Sequence, residues 1–340
     1  MRRALIHIGS SKTGSTAIQH SLAHGGPEAS GFGYPQTRGI PPHLALAALY
    51  RDFDALDPYI KACFGNAAAV EAARPAVHAE IAGLLERCPN LVLSSEFLFD
   101  APAERIRQLK ADLLGHGIGD FRIVCYVREP AAHYLSDLQE FLKNNTDLRR
   151  FLPQSYRYRF RETLQRWEAE FPGQLSVCAF ERTAFPQGNV IRDFNGRIDA
   201  FFGTVQPDAR AFTRNESLCN LALFALHRRL RQVPALDLSA DGYRRRRALR
   251  EALAAGARRM AAGRPARSVL HPSVARYVNR AHGADLEWLA GEYGIRFAAL
   301  QDDDGDLTPP ALSDPPHLAE LVVPPPSEAL TYLLSRPPAG

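Results

Sequence analysis

The chain is poor in cysteine, methionine, tryptophan and lysine, and each scarcity narrows what it can be. Its five cysteines, Cys63, Cys88, Cys125, Cys178 and Cys219, are odd in number and form no Cys-x-x-Cys pair. That argues against a disulfide framework or a cysteine-built zinc site and fits a reducing compartment. Cys125 and Cys178 sit inside apolar runs, where a free thiol acts as a small hydrophobe. No apolar run is long enough to cross a bilayer, and by Gly9 the N-terminus is too polar for a secretory signal. The expectation is a cytoplasmic protein without a transmembrane segment. The net charge is only +4, which suits an anionic small ligand and gives no argument for nucleic acid. Lysine occurs only at Lys12, Lys61, Lys110 and Lys143, while arginine supplies the rest of the 41 basic residues.

One of those lysines lies in the most informative stretch of the chain. Residues 3–19 read Arg-Ala-Leu-Ile-His-Ile-Gly-Ser-Ser-Lys-Thr-Gly-Ser-Thr-Ala-Ile-Gln. An apolar run feeds a Gly/Ser/Thr loop, and the loop opens into a helix. Gly9 and Gly14 let the backbone turn tightly and approach a ligand. The first N–H groups of the helix have no internal partner, and the helix dipole favours negative charge there. Ser11, Thr13, Ser15 and Thr16 add hydroxyls, and Lys12 adds a full charge. A Walker A loop places its lysine after the second glycine; here Lys12 precedes Gly14.

Four short apolar runs, 4–8, 91–94, 122–127 and 175–180, read as buried parallel strands. Helical patterns lie between and after them, at 16–23, 70–87, 103–114, 130–143, 160–171, 218–231 and 274–293. This alternation predicts a three-layer α/β/α fold with a central, mostly parallel sheet and right-handed crossovers. Residues 1–300 read as one domain, with an exposed Arg/Ala-rich helical insertion at 234–267. From Gln301 an acidic start and repeated proline predict a poorly ordered or surface-wrapped tail over 301–340. Arg157, Arg159 and Arg161, and the block Arg244–Arg247, read as solvated faces.

A second anion site is visible in Arg128-Glu129-Pro130, with His133 and Ser136 following. Arg128 falls at the carboxyl end of the third predicted strand, where ligands of open α/β sheets bind. Its guanidinium can fork onto a phosphate, with the Ser136 hydroxyl as a second donor.

The Lys-Thr-Gly-Ser-Thr order resembles the 5′-phosphosulfate loop of sulfotransferases that use 3′-phosphoadenosine 5′-phosphosulfate (PAPS). The Arg-Glu-Pro…Ser spacing is similar to the segment that binds the 3′-phosphate in that family. Glu129 stands where aspartate is usual, and His133 where many members carry arginine. Residues 177–182 and Arg214-Asn215-Glu216-Ser217-Leu218 resemble later segments of the same family. The resemblance implies a P-loop-like sulfotransferase fold, PAPS as co-substrate without a metal, and in-line transfer of a sulfuryl group to a hydroxyl. The acceptor it points to is a small molecule, a carbohydrate or a glycoconjugate.

Such a reaction needs a base for the acceptor proton. Glu96 follows the second strand and emerges at the ligand edge; a glutamate at a comparable place is the presumed base of related enzymes. His43, in an early loop, has a pKa suited to the task. The expected catalytic residues are therefore Lys12 with Glu96 or His43. Ser11, Lys12, Thr13, Gly14, Ser15, Thr16, Arg128 and Ser136 are expected to hold PAPS. Two other readings stay open: a P-loop kinase, against which the missing Gly-Lys-Ser/Thr order argues, and a nucleotide-binding module without catalysis. The acceptor and the oligomeric state are not encoded in any recognisable motif.

Overall fold

The computed structural model describes residues 1–36, 42–56, 58–204, 218–233, 237, 240–261, 266–298 and 308–335. Its strands are β1 (Arg2–Gly9), β2 (Asn90–Ser94), β3 (Ile118–Val127) and β4 (Leu175–Ala179). Its helices run α1 (Ser15–His24), α2 (Pro42–Leu49), α3 (Pro58–Phe64), α4 (Ala67–Arg87), α5 (Ala103–Gly115), α6 (Pro130–Phe141) and α7 (Phe160–Glu170). They continue as α8 (Val190–Phe202), α9 (Asn220–Leu230), α10 (Ala240–Met260), α11 (Pro272–Ala281), α12 (Gly283–Tyr293), α13 (Leu318–Leu321) and α14 (Ser327–Ser335). No described helix is long and apolar enough to cross a membrane.

The chain divides into two compact units, where the sequence had suggested one domain over 1–300. The first comprises Met1–Arg128, Arg159–Arg214 and Glu287–Phe297. Its core is a four-stranded, all-parallel sheet in the order β2-β1-β3-β4, the centre of a three-layer α/β/α fold. β1 pairs with β2 from Arg3↔Asn90 to His7↔Ser94, and β3 with β4 from Ile123↔Leu175 to Val127↔Ala179. The strands are apolar runs because both faces are covered. On one face, Leu5, Val92, Val124 and Tyr126 meet Ile18 and Leu22 of α1 and Phe194, Ile198 and Phe202 of α8. α5, with buried Ile106, Leu109 and Leu113, packs on β3 and against α7. Because β1 lies between β2 and β3, the chain leaves β1 in one direction and returns to its other side. The crevice at the carboxyl ends of β1 and β3 is thus the topological switch point, where open α/β sheets take their ligands.

The second unit comprises Glu129–Tyr158, Asn215–Leu286 and Ala298–Gly340 and is helical. Tyr134, Leu138 and Leu142 of α6, Leu223 and Leu226 of α9, and Val274 and Val278 of α11 form its core. Leu318, Leu321, Val322 and Leu333 belong to the same core. The expectation of a poorly ordered tail therefore fails for residues 308–335: between the prolines stand enough leucines and valines to close a helical core. Residues 301–307 and 336–340 lie outside the described residues.

The Arg-rich insertion is α10 with its flanks. Leu253 and Ala257 are buried in the core, so it is a structural helix rather than an exposed addition. Arg244, Arg245 and Arg247 do form a solvated face, paired with Asp241, Asp237 and Glu251. Arg246 departs from it: it is buried and donates to Asn144 Oδ1 at 3.0 Å. The single helix expected over 274–293 is interrupted at His282. There Nδ1 lies 2.7 Å from the Val278 carbonyl, and Nε2 accepts the Tyr158 N–H at 3.0 Å.

Candidate active site

The switch-point crevice of the first unit is shaped by three left-handed residues within six. Gly9, Lys12 and Gly14 have φ of 89°, 61° and 81°. Such alternation turns successive peptide N–H groups to one side and builds an anion-binding concavity. Two of these positions admit no side chain. A Cβ on Gly9 would lie 2.8 Å from Glu96 Cα. One on Gly14 would lie 3.1 Å from Val190 Cγ1 and 3.2 Å from Phe180 Cε2. Lys12 is the exception, a bulky residue held at positive φ, and strain of this kind concentrates at ligand sites.

The loop is anchored beneath and open above. Ser10 N–H donates to the Tyr126 carbonyl at 3.0 Å, tying the loop to the end of β3. The Thr13 and Ser15 hydroxyls donate to the Ser10 carbonyl at 2.6 and 3.4 Å. Thr13 is fully buried and so shapes the loop through its side chain. Thr16 is exposed, and Ser11 and Lys12 are half-buried. The first intrahelical bonds of α1 run from Ala17 and Ile18 to the Gly14 carbonyl at 2.9 and 3.1 Å. No side chain caps this helix and no acid stands in its first turn. Its N-terminal N–H groups and positive dipole end therefore remain available to an anion.

Glu96 stands at the rim, its backbone against Gly9. Its Oε2 accepts the Gln19 amide at 2.6 Å. Its charge is felt by Tyr34, whose hydroxyl pKa is raised first by burial and then by that charge. It is felt by His43 as well: burial lowers the imidazole pKa, and the Glu96 carboxylate offsets only part of the effect. Burial thus favours the neutral imidazole of His43, and the Ser95 hydroxyl donates to its carbonyl at 2.7 Å. Glu96 and His43, read from the sequence as rivals, are neighbours on the same rim.

Arg128 ends β3. Its Nη1 donates to the Lys12 carbonyl at 3.2 Å, and its guanidinium lies 5.7 Å from the Phe180 ring centroid. Arg128 therefore reaches the lysine loop itself. The chain enters the second unit at the next residue. There Glu129 caps α6, accepting Ala132 N–H at 2.7 Å, and also accepts from the Asn279 amide. His133 is buried, stacked on Tyr158 at 3.9 Å between centroids, and so serves that unit's core. Ser136 is half-buried on α6 of the second unit. The structure thus gathers Ser11–Thr16, Glu96, His43 and Arg128 in one unit, whereas Ser136 belongs to the other. Asn215-Glu216-Ser217 lies outside the described residues.

Gln19, Tyr34 and Phe180 were missed in the sequence. Gln19 had a usable signal: it falls four residues after Ser15, on the inward face of α1. Comparison of the chain with protein-family models, curated proteins and solved structures finds no match.

Proposed function

We propose that the protein is a sulfotransferase that moves a sulfuryl group from PAPS to a hydroxyl acceptor, a carbohydrate or glycoconjugate by class. The reading rests on one observation above the rest. A lysine sits at positive φ between two glycines, at an uncapped helix N-terminus, with the backbone of Glu96 seated against the first glycine. A 5′-phosphate suits such a loop: positive φ and close packing against Glu96, Val190 and Phe180 hold Gly9 and Gly14 as glycines, and the uncapped helix N–H groups attract an anion.

When bound, PAPS supplies an activated sulfuryl group. The loop N–H groups and Lys12 hold the phosphate side, and Lys12 neutralises charge growing on the departing oxygen. Glu96 takes the acceptor's proton, with Gln19 fixing one carboxylate oxygen and leaving the other to the acceptor. Neutral His43, beside Glu96, orients the acceptor. Arg128 holds the 3′-phosphate. Against the kinase alternative stands Thr13, whose buried hydroxyl closes onto Ser10 instead of facing the crevice.

The test is incubation with PAPS and a panel of hydroxyl acceptors without added metal, followed by release of 3′-phosphoadenosine 5′-phosphate (PAP). Acceptor-dependent release supports the proposal. No turnover of PAPS together with phosphoryl transfer from ATP–Mg²⁺ overturns it.

A further inference from the structure

The second unit carries a cavity of about 440 Å³ where α9 ends beside the start of α13. Its volume is within the range of small-molecule sites. Phe224, His227 and Arg228 of α9 form one wall, continued by Arg231 and Gln232. His317 and Leu318 form another, with Leu330 of α14.

Two arginines give it positive charge. Arg228 and Arg231 are exposed, and among the described residues neither side chain has an ion-pair or hydrogen-bond partner. The nearby acid, Glu320, is turned to its own turn, accepting from Ser313 N–H at 3.0 Å, Ser313 Oγ at 2.6 Å and His317 N–H at 2.6 Å, and pairs with neither arginine. The cavity wall also holds an unsatisfied polar group. His227 is 8% exposed, and its buried Nε2 has no partner among the described residues. Cations that merely complement the end of a helix need neither a cavity nor an orphaned imidazole in its wall.

We propose that this cavity binds a phosphate or sulfate monoester, with the oxyanion on Arg228 and Arg231 and the organic part against Phe224 and Leu330. Two guanidinium groups match a tetrahedral oxyanion through forked hydrogen bonds. The volume and the apolar wall exceed what a bare ion fills, which selects an ester. The site lies wholly within the second unit and does not depend on the sulfotransferase reading.

The experiment titrates the full chain carrying Lys12→Ala, so that the glycine loop contributes least, with phenyl phosphate and with phenyl sulfate at fixed ionic strength. Histidine-selective NMR reads the His227 and His317 rings. Saturable shifts of both with at least one ester are expected, and the tighter of the two identifies the ester. Arg228→Ala/Arg231→Ala should weaken that binding about tenfold or more with circular dichroism unchanged. If the double variant loses its fold, Arg231→Gln alone should still weaken binding. No saturable shift with either ester, or equal affinity in a folded arginine variant, overturns the proposal.

Discussion

The glycine loop of the first unit and the cavity at the end of α9 gather positive potential by opposite means. The loop does it with backbone: left-handed residues, a helix end without a cap, and one lysine. The cavity does it with long side chains on an ordinary helix end. A backbone cradle fixes the position of its donors and tolerates no added atom. A side-chain cradle is adaptable, and its members can be removed singly at small structural cost. The difference teaches that the first is suited to holding a reacting group in register, and the second to holding a ligand by charge.

The sharpest way to break this comparison is at the rim of the loop. Glu96→Gln should lower single-turnover transfer at saturating PAPS by ~10²–10⁴ without changing PAPS affinity. Retained turnover in Glu96→Gln, with loss in His43→Ala, would transfer the base to His43.

Next comes the backbone itself. Gly9→Ala combines a positive φ with a Cβ 2.8 Å from Glu96 Cα, so denaturant unfolding should show a loss of roughly 2–3 kcal/mol. Arg228→Ala, on an exposed side chain, should stay within about 0.5 kcal/mol of the parent. Equal losses would erase the distinction between the two cradles.

Arg128 sharpens it further, because it joins a side chain to the backbone loop. Arg128→Ala should weaken PAP binding by roughly 2 kcal/mol, about 30-fold, and slow the bound complex less. Unchanged affinity would confine Arg128 to bracing the Lys12 carbonyl.

Both units also carry a buried histidine that ties stability to pH. His7 of the first unit is fully buried, with Nδ1 2.8 Å from Ser94 Oγ, and burial holds its pKa down to about 3 from 6.5. His227 of the second is held down to about 4, again chiefly by burial. Between these values and 6.5 the unfolded chain binds protons that the folded chain refuses, so stability falls as pH drops through that window. His7→Leu should reduce the slope by up to about 1.4 kcal/mol per pH unit, read from denaturation curves at pH 4–6.5. An unchanged slope would show that His7 is not excluding a proton.

The sheet was legible because buried parallel strands are plain apolar runs, and all four fall within a few residues of where the hydrophobic pattern puts them. Lys12 and its glycines were legible because a strand, a Gly-rich turn and a helix start are local events. The second unit was not, since its core is assembled from α6, α9, α11 and the C-terminal segment. The prolines around Leu318–Val322 conceal a short helix whose leucines find partners only in three dimensions. The break at His282 was hidden for the same reason: its cause, the Tyr158 N–H, lies 124 residues away. Glu96 could be placed at the sheet edge from its strand alone, whereas its contacts with Gln19 and Gly9 depend on the fold.

The proposed function requires the loop of residues 9–16 to be a metal-independent cradle for the 5′-phosphate of PAP. Isothermal titration calorimetry in EDTA tests it most directly, with PAP on the parent chain and on Lys12→Ala, and ATP–Mg²⁺ as the comparison in metal buffer. PAP should bind the parent in EDTA, Lys12→Ala should weaken it about tenfold or more, and ATP–Mg²⁺ should bind less tightly than PAP. Binding of ATP–Mg²⁺ with no binding of PAP, or PAP affinity indifferent to Lys12, would contradict it.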